Sequence, residues 1–348
     1  MINKRNDKIR NWIKYFTVIL LALILIPGCN KNQHKVIKLA HALDTSHPVH
    51  EAMEFMAKKI SEKSNGQIEV EIYPNQQLGT EGQCLELVQV GVIEITKVSA
   101  AVMEGIVPEF TIFSLPYLFK DKEHYFNSLD GDVGEELLLS GEEYWLRGLC
   151  YYDAGSRSFY STKKMIRKPS DLKGMKIRVM QSNTAIEMIK ILGGSATPIS
   201  WGELYTALQS GVVDAAENNP PSFYLSHHYE VCKYYSLDEH ASIPDILVIS
   251  TRFWNELSDQ EKIWIKEAAI ESSQYQRKLW AESETNAMKE LEKAGVEIFH
   301  PDKELFMKKV EPMYDKYKDN KKVYGLIEKV KGVKNNDKLK PNKNNYEN

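Results

Sequence analysis

The sequence predicts an α/β protein of two domains, and three observations carry that expectation. Strand-like and helix-like patterns alternate from Val36 to Val98 and again from Leu146 to about Leu247, as in sheets covered by helices. About 310 residues, from Val36 onward, follow the N-terminal leader and tether, more than one core ordinarily holds. From Ser258 no Gly or Pro occurs until Gly295, so a helix of about 37 residues is expected, long enough to brace both domains.

In chain order, Lys4, Arg5, Lys8, Arg10 and Lys14 precede an apolar run from Phe16 to Ile26, which ends in Pro27-Gly28-Cys29. That is the form of a secretory signal peptide over residues 1–28; the run is too short for the roughly 20 residues of a membrane-spanning helix. Gly28-Cys29 resembles the lipobox of bacterial lipoproteins, although Ile26 and Pro27 depart from the usual pattern, and Cys29 is the expected lipidation site. Residues 29–35 suit a short tether.

Val36–Ala40 reads as a strand, and Val49, Met53, Met56 and Ile60 at spacings of three and four read as a helix stopped by Asn65-Gly66. Ile68, Val70 and Ile72 alternate as a strand. A helix over Glu81–Val90 ends at Gly91, and a strand over Val92–Val98 follows. In the second set, strands are expected near Leu149–Tyr152, Lys176–Val179 and Val212–Ala216, with helices opening near Ser182 and Trp201. Ser258 and Glu261 form a capping box at the head of the long helix. The last 18 residues, 331–348, are rich in Lys and Asn and are expected to be disordered.

The chain holds 45 basic and 48 acidic residues. Removing the leader, with five basic residues and one acidic, leaves 40 against 47. This balance argues against nucleic acid as a partner, and any affinity for an anion must come from specific buried cations. Beyond Cys29 there are Cys84, Cys150 and Cys232, without CxxC or CxxxC spacing, which argues against a disulfide framework or a zinc site. His41, His47 and His50 read as a polar pocket lining or a solvated loop, and no metal or other cofactor is expected.

Arg157 and Arg178 each sit where a strand is expected to end, the place where open α/β sheets bind ligands. A guanidinium matches a carboxylate held bidentately, or else serves a surface or structural ion pair. Asn218-Asn219-Pro220-Pro221 offers two amides to a ligand, or a turn. Trp201 shapes a pocket wall or belongs to the core.

Several segments together are similar to the substrate-binding receptors of tripartite ATP-independent periplasmic (TRAP) transporters. They are Tyr73-Pro-Asn-Gln-Gln-Leu78-Gly79-Thr-Glu81, Leu115-Pro116-Tyr117-Leu-Phe119, Asp153-Ala-Gly-Ser-Arg157, Asp171-Leu-Lys-Gly174-Met-Lys-Ile-Arg178-Val, the run Thr197 to Asp214, and Glu217-Asn218. Their order and spacing extend over nearly all of the mature chain. The resemblance implies a two-domain periplasmic-binding-protein fold of type II-like form, a domain-bridging helix and a ligand cleft between domains. It places 36–154 with 244–283 in domain I and 155–243 with 284–330 in domain II.

It also implies roles: Arg178 as the main anchor of a ligand carboxylate, Arg157 as a second cation, Asn218 as an amide on the same carboxylate, and Trp201 as the wall beside it. Glu81 would meet the ligand from the other side. Ser99 stands where sialic-acid receptors of the family carry a glutamate, and Lys97 is an additional polar candidate. Asn219, His41 and Tyr152 complete the expected set. The stretch Ala216–Tyr224, with His228, Tyr229, Glu230 and His240, resembles receptors for sugar acids, so a uronate or a related acid is the expected ligand, and a dicarboxylate the next. The implied partners are the small and large membrane subunits of a permease, with a lipid anchor holding the receptor outside the cytoplasm. A sensory receptor for the same solutes is the alternative. No Ser/His/Asp grouping, metal set or pair of catalytic carboxylates points to an enzyme.

Overall fold

Two mixed sheets carry the architecture, and the succession of strands passes between them three times. The computed structural model describes residues 34–335, together with Trp12 and Lys14; the expected signal run, the expected anchor Cys29 and the tail beyond Asn335 lie outside the described residues. The strands are β1 (Lys35–Ala40), β2 (Ile68–Tyr73), β3 (Ile95–Ser99), β4 (Leu146–Tyr152), β5 (Arg157–Ser161), β6 (Lys176–Val179), β7 (Ser195–Pro198), β8 (Ala215–Asn218), β9 (Tyr234–Ala241), β10 (Asp245–Ser250) and β11 (Glu297–Phe299). The first sheet has the order β2-β1-β3-β10-β4 and the second β11-β9-β5-β8-β6-β7. The helices used below are α1 (Pro48–Lys63), α2 (Glu81–Val90), α3 (Asn183–Leu192), α4 (Pro220–Leu225), α5 (Asp259–Lys293) and α6 (Lys321–Gly332).

Local chemistry sets the helix ends that matter for the site. The imidazole of His47 caps α1 by accepting from the Val49 amide, and Pro48, which has no N–H to satisfy, occupies the first turn. Thr80 and Gln83 form a capping box that fixes the start of α2 and with it Glu81. The box expected at Ser258 and Glu261 opens α5, which runs for 35 residues. Ile265, Ala268 and Ala269 of α5 pack into a core of the first sheet's half, and Leu291 packs into a core of the second. The helix therefore bridges the two halves.

Two strands start later than the apolar pattern suggested, for one reason. Val92 donates its amide to Leu87 after Gly91 has turned left-handed at φ 78°, so this valine closes a helix and stays exposed, and β3 begins at Ile95. Gly211 turns the chain in the same sense at φ 72°, Val212 is exposed, and β8 begins only at Ala215. The delay makes Asn218 the last residue of β8.

The C-terminal segment differs from its expected place. Phe306, Val310 and Met313 pack in the second half, but Val323, Leu326, Ile327 and Val330 of α6 enter the core around Phe110 and Leu137 in the first half. Residues 321–330 were expected in domain II; their apolar face is buried in the other half. The helix also runs on to Gly332, into the stretch expected to be disordered.

Candidate ligand-binding site

Between the sheets lies a cleft, partly open to solvent and lined from both halves. The second sheet supplies one wall. Arg178 lies near the end of β6, and Asn218 ends β8, which runs parallel to β6. Arg157 does not end a strand, as expected, but opens β5. Because β5 pairs antiparallel with β8, with Ser158 opposite Asn218, the start of one strand meets the carboxyl end of the other and all three side chains reach one edge.

The two arginines differ in what they hold. Arg157 gives its Nε to Glu217, its Nη2 to Glu217 Oε1 at 3.0 Å and to the Glu217 carbonyl at 2.8 Å, and its Nη1 to Asn218 Oδ1 at 2.9 Å. Burial works against the Arg157 charge, but Glu217 outweighs it and the pKa is raised. Burial also opposes ionisation of Glu217, yet Arg157 and His240 together hold its carboxyl at about 2. Burial lowers the pKa of His240, but Asp238, 2.9 Å from Nδ1, and Glu217 raise it to about 9. Arg178 is equally buried, and the one side-chain hydrogen bond it makes among the described residues runs from Nε to the Ile199 carbonyl at 2.9 Å. Its Nη1 is buried without a partner, no carboxylate among the described residues pairs with it, and burial lowers its pKa. The Trp201 ring centroid stands 6.0 Å from the guanidinium carbon.

Asn218 Oδ1 is saturated by donors: Arg157 Nη1, the Asn219 amide at 2.9 Å and Asn219 Nδ2 at 3.0 Å. Asn219 Oδ1 caps α4 through the Ser222 amide. Both asparagines line the cleft, and their amides are oriented by these bonds.

The first sheet and its connections supply the facing wall, and Glu81, Lys97 and Ser99 line it. Lys97 is not a free cation: its Nζ lies 3.1 Å from Glu81 and 3.2 Å from Asp245. Two expected members stand elsewhere. His41 is buried against His50, 2.9 Å away between ring nitrogens, and Tyr152 is buried with its hydroxyl on Ser272 at 2.8 Å; neither lines the cleft. Asp245, His47 and Trp280 line it without having been singled out as ligand contacts. His47 was legible only as one of three nearby histidines, and Trp280 sits deep in α5 among ordinary helical spacing. His47 faces Ser222 across the cleft at 3.4 Å and lies beside Trp280, with ring centroids 5.8 Å apart. Burial and the Lys97 charge lower its pKa to about 3, so it is neutral at pH 7. Cys84, Cys150 and Cys232 are free and buried, and burial pushes all three thiols up.

A buried guanidinium that no carboxylate of the described residues pairs, set in a cleft between two halves, suits a receptor for an acid. Residues 39–320 match the family model of bacterial extracellular solute-binding proteins, family 7, or DctP. The chain belongs to this family. It is 39% identical to the Salmonella typhimurium protein YiiZ over 324 residues, covering 92% of this chain and 98% of that one. Among solved structures, a TRAP periplasmic solute-binding protein of Xanthobacter autotrophicus with bound β-D-galacturonate superposes with a TM-score of 0.83 at 38% identity, over 86% of this chain and all of the other. A second, from Anaerococcus prevotii with bound α/β D-glucuronate, gives a TM-score of 0.84 at 34% identity, over 85% and 97%. The DctP chain described here thus has the two-sheet fold of TRAP solute receptors. No helix among the described residues is long and apolar enough to cross a membrane.

Proposed function

We propose that this DctP-family chain is the extracytoplasmic receptor of a TRAP uptake system, binding a sugar acid such as a uronate and carrying out no catalysis. The observation behind this reading is Arg178: a buried guanidinium with an unpartnered Nη1 in the cleft is the group a ligand carboxylate completes. Asn218, its carbonyl oxygen already occupied, offers its Nδ2 donors to the same carboxylate. Arg157 positions Asn218 and, neutralised by Glu217, adds little net attraction for an anion. The relatives with bound galacturonate and glucuronate give the ligand class its support.

Binding is by closure. A ligand that touches both walls stabilises the closed arrangement over the open one, whereas contacts to one wall alone shift nothing. The closed receptor hands its cargo to the membrane subunits of the permease. Residues 1–28 act as a secretory signal and Cys29 carries the lipid, which keeps the receptor at the outer face of the membrane.

A thermal-shift and calorimetric panel of uronates, aldonates, C4-dicarboxylates, sialic acid and neutral sugars tests the reading. Stabilisation by sugar acids is expected; a response confined to neutral sugars would remove Arg178 from its role, and turnover of a bound acid would overturn the absence of catalysis.

A further inference from the structure

The wall that the first sheet presents to Arg178 carries charge of the opposite sign. Lys97 and Asp245 lie diagonally across the β3–β10 ladder, in which Ser99 faces Asp245 and Lys97 faces Leu247. Glu81, the first residue of α2, reaches the same ammonium, so two carboxylates share one cation, one formal negative charge in excess when both are ionised. Glu81 Oε1 and Asp245 Oδ2 face Lys97, and both carboxylates are partly exposed to the cleft. Burial pushes the Asp245 carboxyl up and Glu81 adds to that, against the pull of Lys97. A further anion here would bring a third acid group to a pair whose one ion-pair cation is Lys97, with Arg157 already paired to Glu217. A hydroxyl, in contrast, donates its proton to a carboxylate oxygen and brings no charge.

The cleft thus has two unlike ends: a buried guanidinium whose Nη1 lacks an acceptor, and a pair of carboxylates that can accept from a ligand hydroxyl. We propose that it selects polyhydroxy acids with one carboxylate, uronates and aldonates, and rejects acids with a second carboxylate at the far end of the chain, with Glu81, Lys97 and Asp245 as the rejecting wall. This rests on the reading that the protein binds sugar acids through Arg178. D-gluconate and D-glucarate differ only at carbon six, CH2OH against carboxylate, and so isolate the effect.

Calorimetry near neutral pH with D-glucuronate, D-gluconate and D-glucarate tests it. Glucarate is expected to bind at least about tenfold more weakly than the tighter of the two monoacids. Glu81→Gln and Asp245→Asn should each narrow that ratio by about threefold or more. Glu81 gives up a single ion pair near the head of a capped helix, so Glu81→Gln keeps the test open should Asp245→Asn not fold. Equal affinity for glucarate and the monoacids overturns the proposal, as does a ratio unchanged in the folded variants. Binding of none of the three acids is a different result: it overturns the sugar-acid reading itself, and this selectivity with it.

Discussion

Arg157 and Arg178 line the same wall of one cleft, yet only Arg157 has its charge matched, by the carboxylate of Glu217. That asymmetry separates an arginine that holds the site together from one that is held ready for a ligand. Removing Arg178 therefore damages binding and not folding. Arg178→Met should weaken sugar-acid binding by about 100-fold or more, on the order of 3 kcal/mol. The ligand-free variant should melt no lower than the native chain, because an uncompensated buried charge has been taken away. Calorimetry and thermal melts of the same samples check both halves of the statement.

Glu217→Gln should do the reverse. It leaves Arg157 buried beside a neutral amide, a loss of about 3–5 kcal/mol for a broken buried pair. Denaturant unfolding of the ligand-free protein reads it directly. A variant as stable as the native chain would mean that the Arg157–Glu217 pair contributes no net stability.

Much of this was legible in the sequence. Glu81–Val90 and Lys176–Val179 fall where the patterns put them, and the Ser258 capping box and its long helix are local signals that tertiary structure did not override. Val92 and Val212 misled because an apolar residue after a left-handed glycine closes a helix as readily as it opens a strand. The arginines and Asn218 were readable as candidates, but which arginine is paired is a fact of tertiary contact. Glu217 reaches Arg157 across 60 residues of chain, and Asp245 reaches Lys97 from the far side of the second sheet's sequence. Arg157 reached the site for a reason the strand-end rule missed, an antiparallel neighbour that reverses which end faces the ligand.

Stability should fall with alkali because of His240. Its folded pKa of about 9 exceeds the ordinary 6.5, so its contribution is complete below pH 6.5 and is lost as pH rises through 9. The span corresponds to about 3 kcal/mol. Glu217 has the opposite sign: depressed from 4.5 to about 2, it contributes above pH 4.5 and that contribution is lost as pH falls toward 2. His47 and His228, each lowered to about 3, add to the acid limb, since the unfolded chain takes up their protons first below pH 6.5. Melting temperature against pH should therefore form a dome, and His240→Asn should flatten its alkaline side.

The closing motion can be tested at Gly82, which lies on α2 beside the cleft. A Cβ built there would stand 3.2 Å from Oε1 of Gln181, a residue of the other half, so the two walls approach at this point and a large side chain must push the Gln181 amide aside. Gly82→Leu puts four carbons into that contact while raising the helix propensity of an early helical position, by about 0.8–1 kcal/mol. The ligand-free protein should accordingly melt at the native temperature or slightly above it. Binding should weaken by about tenfold or more, because the acid still meets Arg178 but the facing wall no longer reaches it. Small-angle scattering with saturating ligand should show the native chain contracting and the variant remaining extended. A variant that binds and contracts like the native protein would mean that closure does not bring Gly82 and Gln181 together, and that the cleft takes its ligand without the two halves moving.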